Sequence, residues 1–316
     1  MSILTPPLVD VRCFFDGAGT ELEKSASAEA ARWACRAHGF LALPAHGGIA
    51  SEVVVAAFDS IQALFAMPQE KKMELAFRDV RENVGYIQLG REKPDLSEAA
   101  PDPKEVFQFA PGKRQLPAEI EEPLAALFRA GMAASRAALR CLARSLDLPE
   151  DELAASTRDA DLCTLRCIHY PGGAAPRSTR CGAHTDFGLC TLLLHEQGGA
   201  PGLQAADRTT GEWRDVVPPP GAAGADGGVA YVNLGDMLSR WTNGECCATP
   251  HRVVAPADSA QAARSRFVLA LFCDADAATS LACLPQFTSA ERPPLFQPMS
   301  AGDFKAMRLA GITAVS

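Results

Sequence analysis

The sequence lacks the features that mark membrane, exported and nucleic-acid-binding proteins. Its longest apolar stretches, residues 53–58 and 267–273, fall far short of the roughly 20 residues that a membrane helix needs. The first eleven residues contain no basic segment followed by a long apolar core, so we expect no signal peptide. With 30 Lys+Arg against 38 Asp+Glu, the net charge of −8 gives no basic surface for nucleic acid. We therefore expect a cytoplasmic protein without a membrane or nucleic-acid partner.

The sequence also has no CxxC pair, although it contains eleven cysteines. Cys163 and Cys167 are four positions apart and Cys246 is adjacent to Cys247, which does not fit the usual spacing of zinc-finger ligands. An odd number of cysteines in a chain of 316 residues without an export signal argues against a disulfide framework. We interpret most of them as reduced thiols that pack as small hydrophobic residues.

The first half of the chain is rich in helical patterns. Residues 25–67 predict two helices separated by a short buried strand at residues 40–43. Residues 118–146 predict one long amphipathic helix that Pro149 terminates. Between them, residues 78–116 contain many charges, prolines and glycines and little periodicity. We interpret this part as an ordered, irregular segment and as a candidate lid over a site.

After residue 161 the pattern changes to short apolar runs, many with a period of two. Gly, Pro and Asp clusters separate the runs, which lie at residues 162–170, 189–195, 202–205, 213–217, 229–234, 251–254 and 266–273. Many short strands without interleaved helices favour an antiparallel sandwich or barrel. The predicted fold class is therefore α+β, mainly β, with no internal repeat.

Two of the six histidines form a candidate metal site with one carboxylate. His184 and Asp186 are two positions apart and leave a strand on the same face. His251 follows after several predicted strands, so the sheet can fold back and place it opposite them. Two imidazoles and one carboxylate leave coordination positions open, as in non-haem Fe(II) oxygenases, but the same set also holds zinc. Ordinary structural roles for all three residues remain an alternative.

The sequence around this triple resembles the isopenicillin N synthase-like branch of the Fe(II)- and 2-oxoglutarate-dependent dioxygenases. The resemblance covers nearly the whole chain in the expected order. The matching segments are residues 39–40, 65–72, 85–86, 104–107, 165–171, 184–188, 191–194, 202–204, 211–213, 232–238, 241–244 and 249–253.

The resemblance implies a double-stranded β-helix, or jelly roll, flanked by N-terminal helices and the long central helix. It divides the chain into an N-terminal region, 1–116, and a core region, 117–316, within one compact unit. It also implies that His184, Asp186 and His251 bind Fe(II). The family's chemistry uses O2 and 2-oxoglutarate to oxidise a C–H bond of a small molecule, most often by hydroxylation, with release of succinate and CO2.

In this family an Arg and a Ser on a late strand, and a Tyr on an earlier one, hold the distal carboxylate of 2-oxoglutarate. By position these residues are Arg266 and Tyr170, but Val268 stands where the family has Ser. One hydrogen bond to the carboxylate is therefore lost, while the Arg266 fork can still hold it. Arg264 lies on the same face and is either a second cation or an exposed charge.

The resemblance also suggests Asn83, Tyr86 and Phe187 as residues of the substrate pocket, although packing or turn roles explain them equally well. Asn233 and Asp236 are interpreted as turn and packing residues, and His195 as structural. Val268 leaves open an Fe(II) oxidase that dispenses with 2-oxoglutarate, or an ethylene-forming member of the family. A non-catalytic metal- or ligand-binding protein is a further alternative. The substrate and the oligomeric state are not predicted.

Overall fold

The computed structural model describes residues 2–79, 82–92, 101–196, 201–220, 222 and 228–313. Its strands, in chain order, are β1 (Ile3–Leu4), β2 (Phe40–Pro44), β3 (Gly85–Ile87), β4 (Glu105–Phe109), β5 (Thr164–Tyr170), β6 (Thr179–His184), β7 (Cys190–His195), β8 (Leu203–Ala206), β9 (Trp213–Val216), β10 (Val229–Leu234), β11 (His251–Val254) and β12 (Arg266–Cys273). Its helices are α1 (Glu21–Ala37), α2 (Ser51–Ala66), α3 (Gln69–Glu74), α4 (Ala118–Ser145), α5 (Asp236–Trp241), α6 (Ser259–Ala262) and α7 (Ala301–Thr313).

The strands form two sheets that enclose a cavity. One has seven strands in the order β2-β10-β7-β12-β5-β4-β3, and the other has five in the order β1-β9-β8-β11-β6. Every pair is antiparallel except β1 with β9. This architecture confirms the predicted double-stranded β-helix with flanking helices.

One face of the seven-stranded sheet packs against the main apolar core, and the other lines the cavity. Because side chains alternate along a strand, Leu269 and Leu271 of β12 belong to the main apolar core, whereas Val268 and Ala270 face the cavity. Helix α4 supplies Leu124 to the same core. Each such buried leucine stabilises the fold by about 1.5–3 kcal/mol. The helices therefore support the sheet from outside and leave its inner face to the site.

Local sequence signals explain where the N-terminal elements begin. Thr20 and Glu23 form a capping box that starts α1, in which each side chain bonds the other residue's backbone N–H. Gly39 turns the chain into β2 with φ of +62°, and a Cβ there would lie 2.3 Å from the Cys247 carbonyl oxygen. The two predicted helices, the strand between them and the long helix are confirmed with small shifts at their ends.

The structure corrects the prediction of an irregular segment at residues 78–116. Strands β3 and β4 lie in it and extend the seven-stranded sheet. Both faces of β4 are buried, and Glu105 and Gln108 interrupt its apolar pattern, so no period-two signal marks it. No apolar run marked the extent of strand β6 before His184, because Arg180 and Gly182 break its apolar pattern. Residues 80–81 and 93–100 of the segment lie outside the described part, and its role as a lid stays a prediction.

The N-terminal and core regions share one sheet. Strand β2 pairs with β10, and β4 pairs with β5. The division of the chain at residue 116 stays a prediction. None of the helices in the described parts of the chain combines the length and apolar character that a membrane crossing requires. All eleven cysteines are free thiols, and ten of them are buried.

Candidate metal and cosubstrate site

Three potential metal ligands converge where the two sheets face each other. His184 ends β6, Asp186 follows two positions later, and His251 begins β11 as the register partner of His184. The Nε2 atom of each histidine lies 3.8 Å from Asp186 Oδ1. One ligand atom from each of the three residues lies within 4.8 Å of the others. The structure therefore brings together the three residues that the sequence predicts as ligands.

Both histidines are oriented by the backbone of their own strands. His184 Nδ1 lies 2.8 Å from the Gly182 carbonyl oxygen, and His251 Nδ1 lies 3.1 Å from that of Thr249. An Nδ1–H that donates to a carbonyl leaves Nε2 unprotonated and able to bind a metal. Burial lowers the pKa of both imidazoles, so the neutral form is favoured. The two rings therefore present their Nε2 lone pairs toward Asp186.

Asp186 is held by two partners that the sequence interpretation did not identify. Its Oδ2 accepts hydrogen bonds from Thr191 Oγ1 at 2.5 Å and from Asn233 Nδ2 at 2.6 Å, so Oδ1 remains for a metal. Burial acts to raise the pKa of Asp186, but the histidines and these hydrogen bonds hold it below its usual value. Asn233, interpreted as a packing residue, is the register partner of Thr191. The sequence signal that could have identified these two partners is a polar residue within each of two largely apolar strands, β7 and β10.

The loop that carries Asp186 is fastened to the start of α5. The Asp186 carbonyl oxygen accepts from the Asp236 backbone N–H at 2.8 Å, and that of Phe187 accepts from Met237 at 3.0 Å. Gly235 allows this contact because a Cβ there would lie 2.3 Å from the Gly188 carbonyl oxygen. Backbone hydrogen bonds thus fix the position of the carboxylate in addition to its side-chain partners.

Arg266 lies deeper in the same cavity, opposite Tyr170 in the β5–β12 register. It is 2% exposed, and its guanidinium lies 5.3 Å from the centroid of the Tyr170 ring. Its Nη2 donates to His195 Nδ1 at 3.1 Å, whereas its buried Nε and Nη1 have no partner among the described residues. Buried donors of this kind require an acceptor. Burial raises the pKa of Tyr170, which keeps its hydroxyl protonated and able to donate.

The surroundings of Arg266 differ from the sequence interpretation in two residues. His195, interpreted as structural, faces Arg266 and is the register partner of Val268. Burial and the charge of Arg266 lower the pKa of His195 to about 3, so its neutral ring accepts the hydrogen bond. Arg180, which is 1% exposed, is a further buried cation near Arg266, whereas Arg264 is exposed. No sequence motif distinguished His195 or Arg180.

A cavity of about 630 Å³ connects these groups. Asn83, Tyr86 and Phe187, the residues suggested for a substrate pocket, all line it. The Tyr86 hydroxyl, however, is used by the protein, since it donates to Glu105 Oε2 at 2.5 Å. Phe187 packs against Arg308 of α7, whose guanidinium lies 4.1 Å from the ring centroid. Helix α7, which the sequence did not predict, therefore forms one wall of the cavity.

Comparisons with known proteins agree with this arrangement. Residues 7–124 match the family described as the non-haem dioxygenase in morphine synthesis N-terminal, and residues 162–275 match the 2OG-Fe(II) oxygenase superfamily. A 2-oxoglutarate-dependent dioxygenase from Didymella fabae is 30% identical over 71% of this chain and 72% of its own length. The 2-oxoglutarate-Fe(II) type oxidoreductase hxnY of Emericella nidulans is 28% identical over 96% of this chain and 89% of its own length.

A similar structure has been solved with the cosubstrate of these enzymes. It is that of a full-length Neurospora crassa protein in complex with alpha-KG, another name for 2-oxoglutarate. It superimposes with a TM-score of 0.82 and 27% identity, covering 96% of each chain. The same Neurospora protein has also been solved with alpha-KG and thymine.

Proposed function

We propose, for a chain that belongs to the 2OG-Fe(II) oxygenase superfamily, that His184, Asp186 and His251 hold the iron and that Arg266 and Tyr170 anchor 2-oxoglutarate. The protein is an oxidoreductase that uses Fe(II), 2-oxoglutarate and O2. The observation that carries the residue assignment is the pairing of an oriented His-Asp-His set with a buried Arg266 whose Nε and Nη1 lack acceptors in the described structure.

The donor set fits Fe(II). Two neutral imidazoles and one carboxylate oxygen occupy one side of a metal and leave other positions for ligands that react. When bound, Fe(II) and 2-oxoglutarate supply O2-dependent oxidation of a substrate C–H bond, with the keto acid converted to succinate and CO2. The protein's own contribution is to orient the ligands, which Thr191 and Asn233 do for Asp186.

The deep end of the cavity fits a carboxylate. Arg266 can present Nη1–H together with the Nη2–H that His195 does not use, which matches the two oxygens of a carboxylate, and its Nε–H remains as a further donor. The protonated Tyr170 hydroxyl can add a further hydrogen bond. Ile168, Val268 and Val253 line the cavity nearby and exclude water from the carboxylate. A water-poor surrounding strengthens the charge-assisted bonds.

For the organic substrate we propose a small molecule that enters beside Asn83 and Phe187. The thymine bound in the Neurospora relative is a ligand of this size. A cavity of about 630 Å³ lies within the range that accommodates small ligands. We also propose a cytoplasmic location, on the sequence features given above.

The test is anaerobic addition of 2-oxoglutarate to the Fe(II)-loaded protein. We expect a visible metal-to-ligand charge-transfer band in the wild type and none in Arg266→Ala at the same concentration of 2-oxoglutarate. The Arg264→Ala variant, which removes an exposed arginine two positions earlier, should keep the band and serves as the matched control. A band of equal strength in Arg266→Ala would refute the anchor, and no band in any iron-loaded form would refute the site.

A further inference from the structure

A second polar group faces the cavity from strands β4 and β5. Gln108 and Arg166 are register partners on these strands, and both side chains line the cavity. Directly opposed residues of an antiparallel pair have Cβ atoms about 4.5–5.5 Å apart, so their polar ends can contact the same ligand. Ala270, the partner of Arg166 on β12, is small and leaves room beside the guanidinium.

This group lies apart from the proposed cosubstrate anchor. Along β5, Arg166 is four residues from Tyr170 on the same inner face, which corresponds to about 13 Å of strand. Ile168 lies between them and forms an apolar spacer with Val268. A ligand that fills the deep end at Arg266 therefore leaves the Gln108–Arg166 pair free for a second molecule.

The same group faces the cavity that the proposed metal ligands also line. Asp186 is bonded to Thr191, which is the β7 register partner of Phe272. Phe272 is two residues along β12 from Ala270, the partner of Arg166. Arg166 and Thr191 are therefore separated by two strand spacings, about 10 Å, and by a shift of two residues along the strands. A small molecule held at Gln108 and Arg166 can extend across the cavity toward the proposed metal ligands.

Both members of the pair have hydrogen-bonding capacity left over. Gln108 Nε2 donates to Asn83 Oδ1 at 3.3 Å, but Gln108 Oε1 is buried and accepts from no described residue. A buried acceptor without a donor is unfavourable, so a ligand donor at this position is favoured. Arg166 uses Nη2 for Glu92, and its guanidinium makes no other hydrogen bond within the described ranges. A ligand that satisfies this pair must therefore offer one donor, to Gln108 Oε1, and one acceptor, to the Arg166 guanidinium.

The charges around the pair are already balanced. Arg166 and Lys104 face the carboxylates of Glu92 and Asp102, with Lys104 Nζ 2.7 Å from Asp102 Oδ2 and 3.5 Å from Glu92 Oε2. Burial acts to raise the pKa of Glu92, but the two cations lower it to about 2, so it is ionised. Arg91 at the cavity mouth is exposed, and solvent screens its charge. A charged ligand would disturb this balance, which favours a neutral one.

We propose that Gln108 and Arg166 recognise the substrate, and that the substrate is a small neutral ring with adjacent C=O and N–H groups, a lactam edge. The ring N–H donates to Gln108 Oε1, and the ring carbonyl accepts from the planar Arg166 fork. Phe77, Met73 and Leu309 supply apolar walls for the faces of the ring. This inference rests on the proposed function, because it concerns the substrate side of the same cavity.

The test compares probe compounds by succinate release from the Fe(II)-loaded protein. The lactams are 2-pyridone and uracil, their N-blocked counterparts are 1-methyl-2-pyridone and 1,3-dimethyluracil, and benzoate is the charged ring of similar size. We expect at least one lactam to raise 2-oxoglutarate turnover above the rate without substrate. N-methylation should lower the kcat/KM of that lactam by about tenfold or more, because it removes the donor to a buried acceptor.

Two variants link the response to the named residues. In Gln108→Leu, which removes the acceptor, the ratio of lactam-stimulated to unstimulated turnover should fall by about tenfold. Arg166→Lys retains the charge opposite Glu92 but loses the planar fork, and should lower the ratio similarly. Gln297→Leu, at an exposed position away from the cavity, is the matched control and should behave as wild type.

The outcomes separate this inference from the proposed function. Equal stimulation by the N-methylated rings or by benzoate would overturn the inference, as would an unchanged ratio in both folded variants. No stimulation by either lactam, with the 2-oxoglutarate band and unstimulated succinate release intact, would overturn it and leave the proposed function standing. Loss of the band in the iron-loaded wild type would instead overturn the proposed function.

Discussion

The cavity has a metal end, at His184, Asp186 and His251, and a deep end, at Arg266 and Tyr170. The two ends differ in whether their buried polar atoms have partners within the protein. At the metal end, both Nδ1 atoms and Asp186 Oδ2 have protein partners, and only the atoms that face the metal remain available. At the deep end, two buried donors of Arg266 have no acceptor among the described residues. The proposed metal ligands are therefore oriented by the protein before a metal binds, whereas the proposed carboxylate site is satisfied only when its ligand binds.

Removing Asp186 should give the largest effect. In Asp186→Ala the two histidines lose the only carboxylate of the set, so we expect Fe(II) affinity to fall by more than about 100-fold and turnover to disappear. Anaerobic Fe(II) titration measures the affinity. Asp59→Ala on the exposed face of α2 is the control and should titrate as wild type. Iron binding of near wild-type strength in Asp186→Ala would contradict the assignment.

Arg266→Lys should weaken 2-oxoglutarate binding at the deep end without changing Fe(II) binding at the metal end. Lysine keeps the charge but cannot offer the planar pair of donors, so we expect the Kd for 2-oxoglutarate to rise by about 100-fold. The affinity for Fe(II) should stay within about twofold of wild type, because Arg266 contacts none of the metal ligands. Titration of the charge-transfer band and of iron in parallel gives both values. A matching loss of iron affinity would show that the two ends are not independent.

Thr191→Val tests whether the hydrogen bond from Thr191 orients Asp186 before the metal binds. The change keeps the shape of the side chain but removes the 2.5 Å hydrogen bond to Asp186 Oδ2, so we expect Fe(II) affinity to fall by about tenfold. The Kd for 2-oxoglutarate, measured at saturating iron, should change little. Thr242→Val, in which the hydroxyl bonds only within and just after α5, is the matched control. Equal iron affinity in the two variants would contradict the role of Thr191.

His195 gives a smaller effect at the deep end. His195→Phe removes the acceptor for Arg266 Nη2, so we expect 2-oxoglutarate binding to weaken by about fivefold to tenfold. His195→Gln retains an acceptor and should restore most of the affinity. The ring is neutral because its pKa is about 3, so the difference in affinity between the wild type and His195→Phe should be the same at pH 6 and pH 8. A difference that grows at pH 6 would indicate a charged imidazole instead.

Val268→Ser should give the smallest change, and in the opposite direction. The variant returns the hydroxyl that the family carries at this position, so we expect 2-oxoglutarate to bind about fivefold more tightly. Val55→Ser at an exposed position of α2 controls for the substitution itself. Weaker binding in Val268→Ser would mean that the apolar packing of Val268 contributes more to 2-oxoglutarate binding than a hydroxyl at this position does.

Residue type and spacing made His184, Asp186 and His251 candidate metal ligands, and the family resemblance assigned them. His184 and Asp186 are close in the chain, and His251 is found by following the strands. The orienting residues carry no such restriction, since Thr191 and Asn233 become partners only when β7 pairs with β10. The contact of His195 with Arg266 was not predicted for the same reason, because it depends on the register of β7 with β12.

Helices α1, α2 and α4 and most strands follow from periodicity, and the failure to predict β4 has a physical cause. Strand β4 is buried on both faces and carries Glu105, which receives hydrogen bonds from Lys72 and Tyr86. Polar residues satisfied by distant partners erase the alternation on which strand prediction depends. The long helix α4, in contrast, buries one continuous face, and its bounds were predicted to within one residue.

The shared sheet has a consequence for biosynthesis. Strands β2 and β4 leave the ribosome early, but their partners β10 and β5 are made later, and β12 joins the sheet later still. Helices α1 and α2 can form as soon as they emerge, whereas the sheet must wait for contacts of long sequence separation, which form slowly. Until then the apolar strand β2 is an open edge that favours aggregation. Chaperone binding in this interval should therefore raise the yield of folded enzyme.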